Sequence, residues 1–374
     1  MNRRKLIELV GAPIAAFVVA VVLSSIVLLV TGYNPLDAYN AMWQHINGTD
    51  PMVDAINDAA PYYVSGLAAA IGFKMGLFNI GVEGQYHMAA FWAAVIGAKL
   101  SLPPAIQLPA ILLIAMVGGA LWASVPAVLA VKRNVNVVIA TIMLNSITIS
   151  LLSLWQKDSH FRFRNNVNDL IPKTKLLPRS GWMPDLNAMI EKFGFHFPAS
   201  TRLHGYIVVA AIVGVVFYML VWRTRFGFDL RMSGANPSAA RAAGVSPNRM
   251  IMVTMLMSGA LAGLVGMGQM LSQGHLYGDQ FPLGLGFAGI AVALLGRNHP
   301  VGIAFAAFVW SALEIASIGL SGAHIPQEIA RIMQGTLLLS AMIVYEIIKR
   351  RNAAAGVRAA AHATAALATE VQPV

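Results

Sequence analysis

Glu83 and His87 stand four residues apart in a run, Met75 to Ala98, whose only charged member is Glu83. That spacing puts both side chains on one face of a helix and resembles half of a metal site. Two ligands are too few for a metal centre. Neither an HExxH sequence nor a carboxylate at helical spacing joins them, so no metal is assigned. Asn79, Glu83 and Gln85 together place three strongly polar side chains near the start of this apolar run. A carboxylate at membrane depth must be paired, protonated or facing water. Its glycine neighbours weaken the helix, and a polar break is tolerated only beside protein or a water-filled cavity. Two readings stay open: a hydrogen-bond hub that ties spans together, or a pathway-lining or gating element of Phe78, Asn79, Glu83 and Gln85. Gly284-x-Gly286-x-x-Gly289 fits the dinucleotide fingerprint literally. The fingerprint needs a soluble βαβ unit, and this one lies inside an apolar run, so it is rejected. No GxxxxGK[ST] occurs, nor any Gly-Lys pair. The chain therefore cradles no nucleotide phosphates itself, and any uphill transport takes its energy from another chain.

A second polar stretch runs from Arg223 to Arg249. Within it Asn236 is a favoured N-cap, Pro237 suits the first helical position, and Gly244 is a natural stop. Alanines 239, 240, 242 and 243 surround Arg241, and alanine is the strongest helix former. Ser246-Pro247 then starts the next span. A helix of about seven residues is only ~10 Å long, so it cannot cross a membrane, and it lacks the apolar face of a surface anchor. It is either a capped loop or a rigid knob that docks in a groove of a cytoplasmic partner.

These groups hang on an apolar framework. Of 374 residues 57% are hydrophobic and 11% charged, against about 25% charged in soluble domains. Cysteine is absent, which excludes disulfides and thiolate metal sites. The formal charge is +10, but the basic residues fall mostly between apolar runs, where topology accounts for them. The partner they imply is the lipid bilayer, not nucleic acid. Runs free of charge cover Leu9–Leu36, Leu100–Val131, Asn134–Gln156, Leu203–Trp222 and Met250–Gly278. The first follows Arg3-Arg4-Lys5 and is too long for a signal-peptide core, so an uncleaved span is expected. Gln280 to Tyr345 has room for three passes, and Ala59–Phe73 is a tilted span or a re-entrant half-helix.

The expected fold is an all-α polytopic bundle of about ten transmembrane helices, with eight or nine as alternatives. With ten, both termini share a side with Lys74, Lys132, Arg133, the arginines of 223–249 and Arg297; by the positive-inside rule that side is the cytoplasm. Residues 1–348 are read as a single membrane domain, with an external loop at 157–202 and a coupling segment at 223–249. The loop carries eight Lys and Arg against four acidic residues, and long translocated segments count little in the rule. It is an ordered cap or a docking surface. The alanine-rich tail, 349–374, is expected to be flexible.

Several blocks resemble a known family. Gly234-x-Asn236-x-x-Ala239-Ala240-x-x-Ala243-Gly244-Val245 is similar to the coupling-helix signature of ABC importer permeases of the branched-chain amino acid, ribose and nucleoside group. Ser258-Gly259-Ala260-Leu261-Ala262-Gly263-Leu264-Val265-Gly266 resembles the span that follows it. Phe78–Gln85 and Gly286–Pro300 resemble two further blocks, and together the four cover about residues 60 to 348 in the family's order. The last block and the long external loop are nearest the nucleoside branch. Independently of the family, Gly259, Gly263 and Gly266 offer one small-residue face for close helix approach, within the subunit or across a permease dimer.

The resemblance implies a transport subunit without its own ATPase, forming the path for a nucleoside, or for a simple sugar or branched-chain amino acid. It implies cytoplasmic ABC ATPase subunits that bind ATP and Mg and grip Gly234, Asn236, Pro237, Ala239, Ala240, Arg241, Ala243 and Gly244. It further implies a second permease, paralogue or self, an external solute-binding protein, and a bacterial inner-membrane location. No cofactor is expected in this chain. An ion-coupled secondary transporter is the alternative from another class, with Glu83, Glu314 and Asp279 as its candidate carboxylates. An intramembrane enzyme would need a convergent cluster, and the nine histidines are scattered near span ends.

Overall fold

The computed structural model describes residues 3–157, 161, 171–194, 198 and 200–370. Among these residues regular structure is helical, and β pairing is confined to the isolated bridges Lys173–Gly278 and Asp185–His204. In chain order the main helices are α1 (Arg3–Val30), α2 (Pro35–Ile46), α3 (Thr49–Lys74), α4 (Val82–Gly97), α5 (Pro104–Arg133) and α6 (Val137–Trp155). There follow α7 (Tyr206–Arg223), α8 (Arg225–Ala235), α9 (Pro237–Ala242), α10 (Pro247–Val265), α11 (Leu285–Leu295), α12 (Pro300–Ser317) and α13 (Glu328–Glu370). Six described helices are long and apolar enough to cross a membrane, or up to seven if the bent pair α1/α2 is one span. This is a multi-pass membrane protein.

Sequence and structure differ at three places. The expected first span, Leu9–Leu36, breaks after Val30, and α1 and α2 meet at 116°. Gly32 turns the chain at φ +85°, Asn34 Oδ1 accepts the Leu36 N–H at 3.0 Å, and Pro35 opens α2; these are turn residues in their usual roles. The short run at 59–73 belongs to the continuous 26-residue helix α3, about 39 Å long. Its first half is masked by Asp50, Asp54 and Asp58. The loop end covers that polar half: Ser200 and Thr201 hydroxyls donate to Asp50, and Asn57 exchanges hydrogen bonds with the Arg202 carbonyl and the His204 N–H. Third, α11 has eleven residues, about 16 Å, half a bilayer core. The backbone of the tail is helical through Glu370.

The chain groups into two compact units, 1–43 with 317–374, and 44–316. In the first, α1 packs along α13, with Ser24 Oγ 2.8 Å from Thr336 Oγ1. In the second, α10 is the central helix, packed on α5, α3 and α4. The described part of the loop at 157–202 is ordered against the segment 271–277: Thr174, Leu177 and Met183 N–H groups donate to Tyr277, His275 and Leu271 carbonyls at 2.8 Å each. Trp182 stacks on His275 with ring centroids 3.7 Å apart. Residues 158–160, 162–170, 195–197 and 199 of that loop lie outside the described residues.

Candidate functional site

Glu83 is buried, in the first turn of α4. Its carboxylate accepts the Gly284 N–H on Oε1 at 2.7 Å and the Gly286 N–H on Oε2 at 2.8 Å. These N–H groups open α11, whose cap Gly284 sits at φ +91°. The first N–H groups of a helix have no partner within it, and its N-terminus carries partial positive charge. One carboxylate therefore satisfies two orphan donors, and the helix end supplies the counter-charge. Gly286 is glycine because a Cβ there would lie 2.4 Å from the Glu83 backbone nitrogen. At Gly289 a Cβ would lie 2.0 Å from Ser65 Oγ, the hydroxyl that donates to the Leu285 carbonyl. Of the three glycines rejected as a nucleotide fingerprint, Gly286 and Gly289 thus serve close approach of α11 to α4 and α3, and Gly284 supplies the positive φ of the cap.

The other polar residues of this block form a buried network. Asn79 Nδ2 donates to Ser258 Oγ of α10 at 2.9 Å, Asn79 Oδ1 accepts the Gly81 N–H, and Gln85 pairs with Asn79 at 3.2 and 3.3 Å. Ser258 in turn donates to the Ala68 carbonyl of α3. Asn145 of α6 accepts the Gly84 N–H and donates to the Ile80 carbonyl. Asn79, Glu83 and Gln85 are thereby brought together, joining α3, α4, α6, α10 and α11. Phe78 is not part of this network: it is 40% exposed and packs on Phe73. His87 lies 3.5 Å from Glu83 Oε1 and 3.0 Å from the Tyr277 hydroxyl. Among the described residues no group of three or more His, Asp and Glu is placed to hold a metal.

The segment 234–246 folds by its local signals. Asn236 Oδ1 accepts the Ser238 and Ala239 N–H groups at 3.1 Å each, and Pro237 occupies the first turn. At the other end the Gly244 N–H bonds to the Arg241 carbonyl and the Val245 N–H to the Ala240 carbonyl, with Gly244 at φ +83°. This pairing is a Schellman stop. Ala239, Arg241, Ala243 and Gly244 are exposed, and Ala240 is fully buried. Ala240 anchors α9 while the exposed residues present a surface. Gly234 presses on the end of α3, where a Cβ would lie 2.4 Å from the Lys74 carbonyl. Met75, Gly76, Ser233, Arg241 and Pro247 help to line a groove of about 620 Å³ here. The turn after α3 leads directly into Asn79 and Glu83, so the segment that ends at Asn79 and Glu83 begins at the contact with Gly234, just ahead of α9.

Gly259 and Gly263 face α5: Cβ atoms there would meet the Gly119 carbonyl at 2.5 Å and the Ala115 carbonyl at 2.1 Å. Gly266 faces elsewhere, against Phe281 and Tyr86. The contact of Gly259 and Gly263 is thus packing within the chain. Of the aromatic residues in the first half, Trp92 and Trp155 meet at 5.4 Å and line a second cavity of about 510 Å³ with Trp122. Sequence reading missed Asn145, Ser258 and Tyr277, lone polar residues in apolar runs with no local pattern. It also missed α8, for which Thr224 as a cap was the available signal: its hydroxyl accepts the Gly227 N–H at 3.1 Å.

Comparison with known proteins agrees with this architecture. The chain is 33% identical over 338 residues to the guanosine ABC transporter permease protein of Bacillus subtilis, covering 90% of this chain and 93% of that protein. It is 31% identical to the nucleoside ABC transporter permease protein of Lactococcus lactis, covering 87% and 88%. It is 29% identical to the glucose ABC transporter permease protein of Haloferax volcanii, covering 91% and 88%. The family described as the branched-chain amino acid transport system permease component matches residues 52–342, and the chain belongs to it as the permease component of an ABC transporter.

Proposed function

We propose that this chain forms half of the translocation path of an importer for nucleosides in a bacterial inner membrane. The observation that carries the reading is α9: a six-residue helix capped at both ends, anchored by buried Ala240, with Arg241 exposed. Such a knob suits a groove on a cytoplasmic ATPase that binds ATP and Mg, and a second permease subunit completes the path. An external solute-binding protein delivers the cargo, and both termini lie in the cytoplasm. The ten segments comprise the seven apolar ones together with α3, α4 and α11, which are more polar or shorter and are covered by their neighbours. ATP-driven closure of the motors pulls α9, and the rigid contact at Gly234 passes that motion to α3 and to the Asn79–Glu83 turn.

Nucleoside as cargo is supported by the relatives named for guanosine and nucleoside. A simple sugar is the second reading, favoured by the glucose permease relative. The test reconstitutes the chain with its ATPase and binding protein and compares nucleosides, glucose and branched-chain amino acids. Nucleoside uptake that disappears in Arg241→Glu or Ala239→Trp, with membrane insertion intact, is the expected result. Unchanged uptake and ATPase association in both variants would refute the role of α9. Uptake of glucose or leucine alone would refute the cargo and leave the role standing.

A further inference from the structure

Helices α3, α7 and α12 leave an open groove of about 760 Å³ between them. Small residues keep it open, among them Ala59, Ala210, Ala211, Gly214 and Ala304, and its walls are almost wholly apolar. Its lining on α7 runs from Ile207 to Tyr218, about 16 Å at 1.5 Å per residue. That is about half of the ~30 Å hydrocarbon core, the depth of one leaflet.

The groove has a distinct end. Tyr218 and His299 line it there, Tyr218 stacks on Trp222 at 5.7 Å, and His299 meets Trp222 edge-on at 5.2 Å. Lys74 Nζ sits over the Trp222 ring at 5.2 Å and the Arg223 guanidinium over Tyr218 at 6.0 Å. No described ion pair involves Lys74, Arg223, Arg231 or His299. Burial and the neighbouring Lys74 charge hold the His299 imidazole below its ordinary range. Arg231 adds its charge beside Lys74 while its guanidinium donates to the Val221 carbonyl. Fixed positive charge without a protein counter-ion therefore crowns an apolar slot one leaflet deep. The Lys74 end is the end that touches Gly234, just ahead of α9.

We propose that this groove binds one anionic phospholipid from the leaflet on the α9 side. An acyl chain lies between α3, α7 and α12, and the phosphate is held by Lys74 and Arg223 within the aromatic collar. Amphipathic rings favour this depth, and basic pockets between membrane helices hold anionic headgroups. A helix of another chain would leave the collar charges unanswered unless it brought carboxylates to that one level. Because the lipid would grip the end of α3 beside the coupling segment, its presence would stiffen the contact through which α9 acts.

The test uses the full-length protein in nanodiscs and in mild detergent, probed with phosphatidylglycerol and phosphatidylcholine of identical acyl chains. Lipid retained through purification is counted by native mass spectrometry, and binding is titrated. The expected result is at least a tenfold preference for phosphatidylglycerol, at about fivefold per engaged cation. Lys74→Gln combined with Arg223→Gln lowers phosphatidylglycerol binding on the order of 20-fold and leaves phosphatidylcholine unchanged. Ala211→Trp, which fills the groove, lowers retention of both lipids. If the double variant fails to fold, exposed Arg223→Gln alone is expected to cost about fivefold. Equal affinity for the two lipids would overturn the proposal, as would an undiminished preference in the charge variants or undiminished lipid retention in Ala211→Trp. So would a second protein chain crosslinked at residue 211 in place of lipid.

Discussion

Replacing Glu83 separates a carboxylate that holds two helices together from one that carries an ion. Its two oxygens accept the Gly284 and Gly286 N–H groups at 2.7 and 2.8 Å in a fully enclosed site. Hydrogen bonds to a charged acceptor contribute about 1.5–3 kcal/mol each, and a buried donor left unpaired costs about 1–3 kcal/mol. Glu83→Ala removes both bonds and is expected to cost about 3–5 kcal/mol. Glu83→Gln keeps the reach and one acceptor oxygen, but turns an amide donor toward the second N–H, for a loss of about 2–3 kcal/mol. Glu83→Asp keeps the charge but is shorter by one carbon–carbon bond, about 1.5 Å. A hydrogen bond stretched that far is no bond, so Asp should fall near Ala. The predicted order of thermal midpoints in detergent, and of reconstituted uptake, is Glu > Gln > Asp ≥ Ala. An ion-coupled carboxylate gives the opposite order, with Asp active and Gln dead. That order, or an Ala variant as stable as wild type, would refute the assignment of Glu83 as a helix tether.

Gly263→Leu should abolish stable accumulation, because a Cβ would lie 2.1 Å from the Ala115 carbonyl and no rotamer relieves a backbone clash. Gly335→Ala, with nothing within 4 Å, is the matched control and should be neutral or gain about 0.5–1 kcal/mol; equal behaviour of the two would refute the close α5–α10 seam. Gly244→Val, forced to hold φ +83°, should cost α9 about 1–2 kcal/mol, and Asn236→Ala about 1 kcal/mol. Both should speed trypsin cleavage after exposed Arg241, and unchanged cleavage in both would count against the two-cap description. Burial pushes the His275 imidazole, stacked on Trp182, below its ordinary range; a hydrogen bond to the Leu271 backbone opposes this and the nearby His204 adds to it. The folded cap then takes up the proton less readily than the unfolded chain, so its stability is full above about pH 6.5 and declines as pH falls below that value. Protection factors for hydrogen exchange at Thr174, Leu177 and Met183 should fall from pH 7 to 5, after correction for the slower intrinsic exchange at low pH, and His275→Phe should remove that dependence.

How much could be read from the sequence depended on the range of the signal. The caps of α9 are local, and Asn236, Pro237 and Gly244 each did what their side chains or φ freedom dictate. The Gly32–Pro35 turn carried equally local marks, but an unbroken apolar run hid them under a single span. For α3 the charge count misled, because Asp50 and Asn57 are answered by residues at the end of the 157–202 loop, about 150 positions away. The Glu83 network was legible only as a cluster in need of partners. Gly284 and Gly286 are 201 and 203 residues downstream, and nothing in the composition of either stretch names the other. That separation also explains why the glycines there could be read only as a failed nucleotide motif.

The tether between Glu83 and α11 bears on how the chain is made. An eleven-residue helix is too short to be retained in a bilayer on its own hydrophobicity, so α11 depends on a berth prepared by earlier segments. Synthesis runs from the N-terminus, and α4 with its carboxylate is in place some 200 residues before Gly284 emerges. Until then Glu83 lacks its two α11 donors and, among the described residues, has only Tyr86 and His87, on its own helix, within reach. Biogenesis thus has an obligate order. A ribosome stalled between residues 100 and 280 holds a chain in which Glu83 still lacks the Gly284 and Gly286 N–H groups.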